Sequence, residues 1–142
     1  MTTLAQVPGH HARLSVAVFR DAASVGGLLH TLLLRFTHAH YVLAAQSAGC
    51  NRLHAIEERC ARWLLLTHDR TRGDTFHLTQ EFLGYMLGAR RASVTVAAGM
   101  LQRAGLITYR RGVITILDRP GLEAAACECY AIIRDEFARL LD

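Results

Sequence analysis

Apolar positions from Ser24 onward recur at helical spacing. Leu29, Leu33, Phe36, His40 and Leu43 follow one another at intervals of 4, 3, 4 and 3, and Leu32 and Ala39 widen the same face. This pattern predicts a helix of about 22 residues, roughly 33 Å long, whose seam needs a partner. Because a small domain cannot cover that length, the seam is read as a self-association surface. The helix is expected to break near Ser47-Ala48-Gly49, with Asn51 capping the next one. There Ile56, Cys60, Trp63 and Leu64-Leu65-Leu66 form one apolar side, and His68-Asp69-Arg70 ends the run. Thr71 to Thr75 reads as a loop, and Phe76-His77-Leu78 as a short strand.

Two short helices with a tight turn follow. Thr79 is a good N-cap, Glu81 suits the positive helix start, and Phe82, Leu83, Met86 and Leu87 form the inward side. Gly88 stops this helix in the manner of a left-handed cap. Three residues later a second helix begins, with Val94, Ala97, Ala98 and Leu101 inward, Arg91, Ala92, Thr95 and Gly99 outward, and Gly105 at its end. Leu106 to Tyr109 and Val113 to Leu117 are β-rich runs around Arg110-Arg111-Gly112, which predicts a hairpin with two arginines at its tip. Pro120-Gly121 reads as a boundary before one last helix lined by Leu122, Ala126, Cys129, Ile133, Phe137 and Leu140. Before Ser24 the pattern is weak. Ala5-Gln6-Val7 and Ala12-Arg13-Leu14 are candidate strands around Pro8-Gly9, and Ser15 can cap a short helix through Phe19 to Ala22.

Charge sharpens this outline. The 142 residues carry 16 Arg, no Lys and 12 acids, a net +4. Between Thr79 and Arg119 lie Arg90, Arg91, Arg103, Arg110, Arg111 and Arg119 against Glu81 and Asp118, so 6 − 2 = +4, while the other ten Arg and ten acids cancel. The whole excess therefore sits on the helix pair and the hairpin, as an interface for a polyanion would. Arg35 interrupts the longest apolar stretch, so no membrane span is expected. Without a secretion signal, the four cysteines read as reduced thiols of a cytoplasmic protein.

The expected fold class is mainly α with a small β-hairpin wing: a winged helix-turn-helix preceded by a long dimerisation helix. The domains read as a short N-terminal remnant over residues 1–23, the dimerisation helix over 24–48, and the winged helix over 49–142. In such a unit the second helix enters the DNA major groove with its N-terminal residues toward base edges. Arg90 and Arg91 stand there, and a guanidinium can bond guanine O6 and N7 through two parallel donors. Arg110 and Arg111 on the hairpin would reach the backbone.

Further residues carry a resemblance. Gln46-Ser-Ala-Gly-Cys-Asn-Arg-Leu-His54, Glu58-Arg59, Ala61-Arg-Trp-Leu64, His68-Asp-Arg70, Leu78-Thr-Gln-Glu-Phe82, Met86-Leu-Gly88, Arg90-Arg91, Ser93-Val-Thr95 and Cys127-Glu-Cys-Tyr130 span residues 46 to 130. Together they closely resemble the C-terminal half of Crp/Fnr-type bacterial transcription regulators, and the likeness continues more weakly into the helix from Ser24. The resemblance implies a homodimer joined along Leu29, Leu33, Phe36, His40 and Leu43, with a recognition helix near Arg91–Arg103 on each half of a palindromic operator in double-stranded DNA. It implies base reading by Arg91 and phosphate contacts from Thr79, Gln80 and Ser93, with RNA polymerase as a possible partner. The helix pair and hairpin themselves add Arg90 and Thr95 toward bases and Arg110 and Arg111 on the backbone. Ala92 and Val96 depart from the polar residues common at those places, so no operator sequence is carried over. The effector-binding β-roll of such regulators is largely missing, so no cyclic nucleotide is expected to bind here. The chain is a fragment, a product of a misplaced gene start, or a regulator without its sensor.

Competing chemistry is thin. There is no Gly-rich phosphate loop or nucleophile motif, so no enzyme is expected. Cys60 reads as a core residue, and Cys127-x-Cys129 on a helix would point about 200° apart. With no second pair at ligand spacing, neither metal nor cofactor is expected. Glu57-Glu58 reads as pairing with Arg59 to Arg62 on an exposed face, and Trp63 as core. Two alternatives stay open: a winged-helix interaction module that no longer reads DNA, and a cysteine-based redox sensor.

Overall fold

The computed structural model describes residues 9–141. The candidate strand Ala5-Gln6-Val7 lies outside them. Ala12-Arg13-Leu14 forms no strand and is exposed. Ser15 caps α1 (Val16–Ala22) by accepting the N–H of Val18 at 3.3 Å. Gly26, at φ +84°, then turns the chain into α2 (Leu28–Leu53). That helix begins four residues later than Ser24 for this reason, and at 26 residues it measures about 39 Å.

No break occurs at Ser47-Ala48-Gly49. An isolated glycine costs a helix only about 1 kcal/mol, and burial of the adjacent Cys50 offsets that. Asn51 is consequently a helical residue and caps nothing. The chain leaves α2 at His54 and enters α3 (Ile56–His68), where Glu58 accepts the N–H of Ala55 at 3.0 Å. Glu58 is thus spent on the helix start. Arg59 and Arg62 are buried, so the expected exposed pairing with Glu57-Glu58 does not form. The other helices packed around α3 take these two cations inward.

The short strand β1 (Thr75–His77) precedes α4 (Gln80–Leu87) and α5 (Arg91–Arg103). The hairpin is β2 (Ile107–Arg110) and β3 (Val113–Ile116), and β1 adds to its β3 edge, giving an antiparallel sheet in the order β1-β3-β2. Pro120-Gly121 is no boundary. Asp118 caps the Gly121 N–H at 2.9 Å, which makes proline part of the first turn of α6 (Arg119–Ala124), where its missing donor is harmless. The single last helix is also divided, since residues 125–128 turn the chain before α7 (Cys129–Leu141). That turn lets α7 fold back along α2 while α6 stays on α3.

One core joins these pieces. Cys60, Ala61, Leu64 and Leu65 of α3 meet Leu83 and Leu87 of α4, Val94, Ala97 and Leu101 of α5, and Phe76, Ile107 and Ile114 of the sheet. Leu122, Tyr130 and Ile133 close it from the C-terminal helices. The architecture is a winged helix-turn-helix carrying a long helix. Among the described residues no helix is long and apolar enough to cross a membrane.

Candidate nucleic-acid interface

The turn between α4 and α5 is built by two close approaches. Gly88 sits at φ +57°, a left-handed position that costs any other L-residue, and the N–H of Ala89 returns to the carbonyl of Gly84 at 3.0 Å. A side chain at Gly84 would meet the Ala89 carbonyl at 3.1 Å, so any larger residue there would push the turn open by a few tenths of an ångström. Val94, Ala97, Ala98 and Leu101 face the core, as the apolar spacing of this segment requires. That leaves Arg91, Ala92, Ser93, Thr95 and Val96 exposed on the other side.

The wing is fixed by its turn. Arg111 (φ +51°) and Gly112 (φ +78°) form a two-residue loop between Arg110 and Val113, which pair across the hairpin. Both angles positive is the type I′ geometry that matches strand twist. The tip is therefore Arg111-Gly112, and Arg110 closes the strand. The loop is tied down by the Leu78 N–H to the Gly112 carbonyl at 2.8 Å. The Tyr109 N–H donates to Gln102 Oε1 at 2.8 Å, which fastens the wing to the end of α5.

Between the start of α4, the start of α5 and the wing lies a cleft of about 450 Å³ lined by Thr79, Gln80, Glu81, Arg91, Tyr109, Arg111 and Gly112. It brings together four of the eight residues assigned to DNA: Thr79, Gln80, Arg91 and Arg111. Thr95 joins them indirectly, since its hydroxyl can donate to Gln80 Oε1 at 3.0 Å or to the Arg91 carbonyl at 3.0 Å. Arg90, Ser93 and Arg110 stand outside the cleft. The Thr79 hydroxyl is engaged as N-cap, accepting the Phe82 N–H at 3.2 Å.

Sequence reasoning does not place Tyr109 and Glu81 in the cleft. Tyr109 sits in a β-rich run that reads as wing structure, and only the sheet's alternation turns it toward α4. Its hydroxyl donates to the Leu78 carbonyl at 2.7 Å, and burial pushes its pKa up to about 12, with the Arg91 charge pulling the other way. Glu81 is held by the Tyr85 hydroxyl at 3.3 Å and adds a negative charge to the cleft floor.

Among the described residues, Arg90, Arg91, Arg103, Arg110 and Arg111 enter no ion pair. Arg119 differs. It bonds Asp69 at 2.7 Å, Glu123 at 2.9 Å and the Tyr130 hydroxyl at 2.6 Å, so it serves the fold. Five arginines without an acidic partner on the helix pair and wing are what a polyanion needs.

Away from this face, Cys127 precedes α7 and is not helical, so it and Cys129 do not diverge as two positions on one helix would. Both are buried beside Cys50.

Comparison with known proteins agrees with this architecture. Residues 58–125 match the Crp-like helix-turn-helix domain. A protein from Eubacterium rectale ATCC 33656, described as a transcriptional regulator of the Crp/Fnr family, is 28% identical with a TM-score of 0.53 over 56% of this chain and 37% of its own. Two regulators from Thermus thermophilus, of the CRP and CRP/FNR families, are each 24% identical at a TM-score of 0.52 and share the fold. One match covers 58% of this chain and 45% of its own, the other 80% and 56%. The chain thus spans roughly two fifths to just over half of these solved proteins' length. No curated protein matches it.

Proposed function

We propose that this chain, whose residues 58–125 form a Crp-like helix-turn-helix domain, is a non-enzymatic, DNA-binding transcription regulator that acts as a homodimer. The observation that carries the reading is the cleft. Arg91 at the start of α5 and Arg111 at the wing tip face one space, without acidic partners, beside the first turn of α4. A duplex laid across it sets α5 in the major groove with Arg91 and Thr95 toward base edges, Arg90 at the helix entry, and the wing on the backbone. Thr79, Gln80 and Ser93 then meet phosphates, aided by the free N–H groups at the start of α4.

Dimerisation rests on α2. The face that α7 covers from Ala39 onward continues uncovered toward the N-terminal end, where Leu28 is 88%, Leu32 47% and Phe36 47% exposed. Leu43 packs on the chain's own core, and the His40 ring lies 5.4 Å from that of Phe137. The upper half of the seam, with Leu29, Leu33 and Phe36, is what a second copy would cover, placing two α5 helices on half-sites about 34–36 Å apart.

Mobility shift of the purified chain against a random duplex pool at two salt concentrations tests the proposal. Binding that weakens steeply with salt and enriches a two-fold symmetric sequence is expected. Arg91→Ala should relax the enriched sequence at one position per half-site, and Arg111→Ala should weaken all duplexes alike and lower the salt slope by about 1. Exposed Val96 and Ala92 on the outer side of α5 favour a second reading, a protein-interaction module. Salt-insensitive or absent binding would select it.

A further inference from the structure

The C-terminal end of α2 and the turn before α7 bring four potential ligands into one buried site. The Sγ atoms of Cys50, Cys127 and Cys129 and one ring nitrogen of His54 all lie within 4.8 Å of one another. Cys50 Sγ is 3.5 Å from Cys127 Sγ, and Cys129 Sγ is 3.5 Å from His54 Nδ1. A tetrahedron with Zn–S bonds of about 2.3 Å has edges of about 3.8 Å, so the set is already near the spacing that one ion would impose.

The surroundings match a metal site in two independent ways. His54 turns its other nitrogen, Nε2, to Glu128 Oε1 at 3.2 Å, which orients the ring and leaves Nδ1 for the site. Gln46 Nε2 lies 3.2 Å from Cys129 Sγ, a donor suited to a thiolate. The second match is charge. Arg62 is fully buried, its Nη1 donates to Ser47 one turn before Cys50, and its Nε and Nη2 have no hydrogen-bond partner. A buried cation without a counter-charge is costly. Three thiolates, a neutral imidazole and a divalent ion sum to −1, the charge that would balance it.

We propose that Cys50, His54, Cys127 and Cys129 form a closed, four-coordinate Zn²⁺ site. Its role is structural: with four protein ligands no position remains for water or substrate. The ion ties the end of α2 to the turn between α6 and α7 and to the first residue of α7, so it fixes the long helix against the winged-helix unit.

Titration of the reduced, metal-free full chain with Co²⁺ under anaerobic conditions tests the site. The expected result is one equivalent bound, with the intense visible bands of tetrahedral cobalt and thiolate-to-cobalt charge transfer, both abolished by one equivalent of Zn²⁺. Cys129→Ser should remove one thiolate's share of the charge-transfer band, and Glu128→Gln should weaken affinity about 10- to 100-fold while keeping the spectrum's shape. Cys60→Ala, in the core away from the site, should change neither. A weak, six-coordinate cobalt spectrum from folded, fully reduced protein would overturn the proposal, as would a Cys50–Cys127 disulfide in anaerobically purified protein. If Cys129→Ser fails to fold by circular dichroism, the stoichiometry and spectrum of the parent and of Glu128→Gln still decide.

Discussion

Arg111 holds a left-handed backbone that glycine or asparagine would adopt more easily, at a cost of about 1 kcal/mol. An arginine kept there at the tip of a wing is best explained by what its side chain does. Arg111→Asn should therefore leave unfolding free energy unchanged or raise it by up to about 1 kcal/mol, while DNA affinity falls and the salt slope drops by about 1. Urea unfolding and salt-dependent mobility shift read the two effects separately, and a loss of stability would show that the side chain supports the hairpin instead. The same scale explains what sequence reading missed. Type, spacing and turn chemistry are local, so Thr79 as N-cap and Gly88 as left-handed cap could be read directly. Tyr109 and Glu81 enter the cleft only because the sheet and α4 meet there.

At the scale of elements, the helix-turn-helix depends on Gly88 and the self-association surface on α2. Gly88→Ala places a Cβ at φ +57° with only an ordinary contact at 3.7 Å to Asn51, so the penalty is conformational. A loss of about 1–2 kcal/mol in unfolding free energy is expected, without loss of α5. A variant as stable as the parent would mean the turn can take another form. On α2, Leu32→Asp with Phe36→Asp should convert a dimer to a monomer in sedimentation velocity and leave the helical circular dichroism intact. Dimers that persist would move the interface off this face. The seam itself was legible because helical periodicity survives any tertiary context. Its division into a half covered by α7 and a half that leaves Leu28, Leu32 and Phe36 exposed was not, because nothing local tells that α7 folds back along it.

At the scale of the molecule, burial sets the response to alkali. The Cys60 thiol is pushed by desolvation from 9.0 to about 12, and the Tyr109 hydroxyl, buried against Cys60 and Arg91, from 10.0 to about 12. Above pH 9 the unfolded chain loses these protons while the folded chain retains them. Stability is thus fully present below that pH and declines toward about 12. Cys60→Ala should flatten the first part of this decline, measured as the urea midpoint at neutral pH and at about pH 10. An unchanged slope would place the alkaline transition elsewhere. The excess positive charge, in turn, belongs to the helix pair and the wing, since Arg119 is absorbed by Asp69 and Glu123 while the other five arginines of that segment stay out of ion pairs among the described residues.

The chain's own pattern was enough for the winged helix-turn-helix, the long helix before it and the concentration of arginine on the helix pair and wing. Each of these follows from local propensity, capping, apolar period or composition, which can be read within a short stretch of chain. Tertiary structure alone decided where distant residues converge. Arg59 and Arg62 went inward with α3, and one continuous α2 carried Cys50 past the expected break, with His54 at its end. The turn after α6 brought Cys127 and Cys129 to them across more than seventy residues. Sequence spacing measures neighbours along the chain, whereas ligand sets and buried charges are made by neighbours in space.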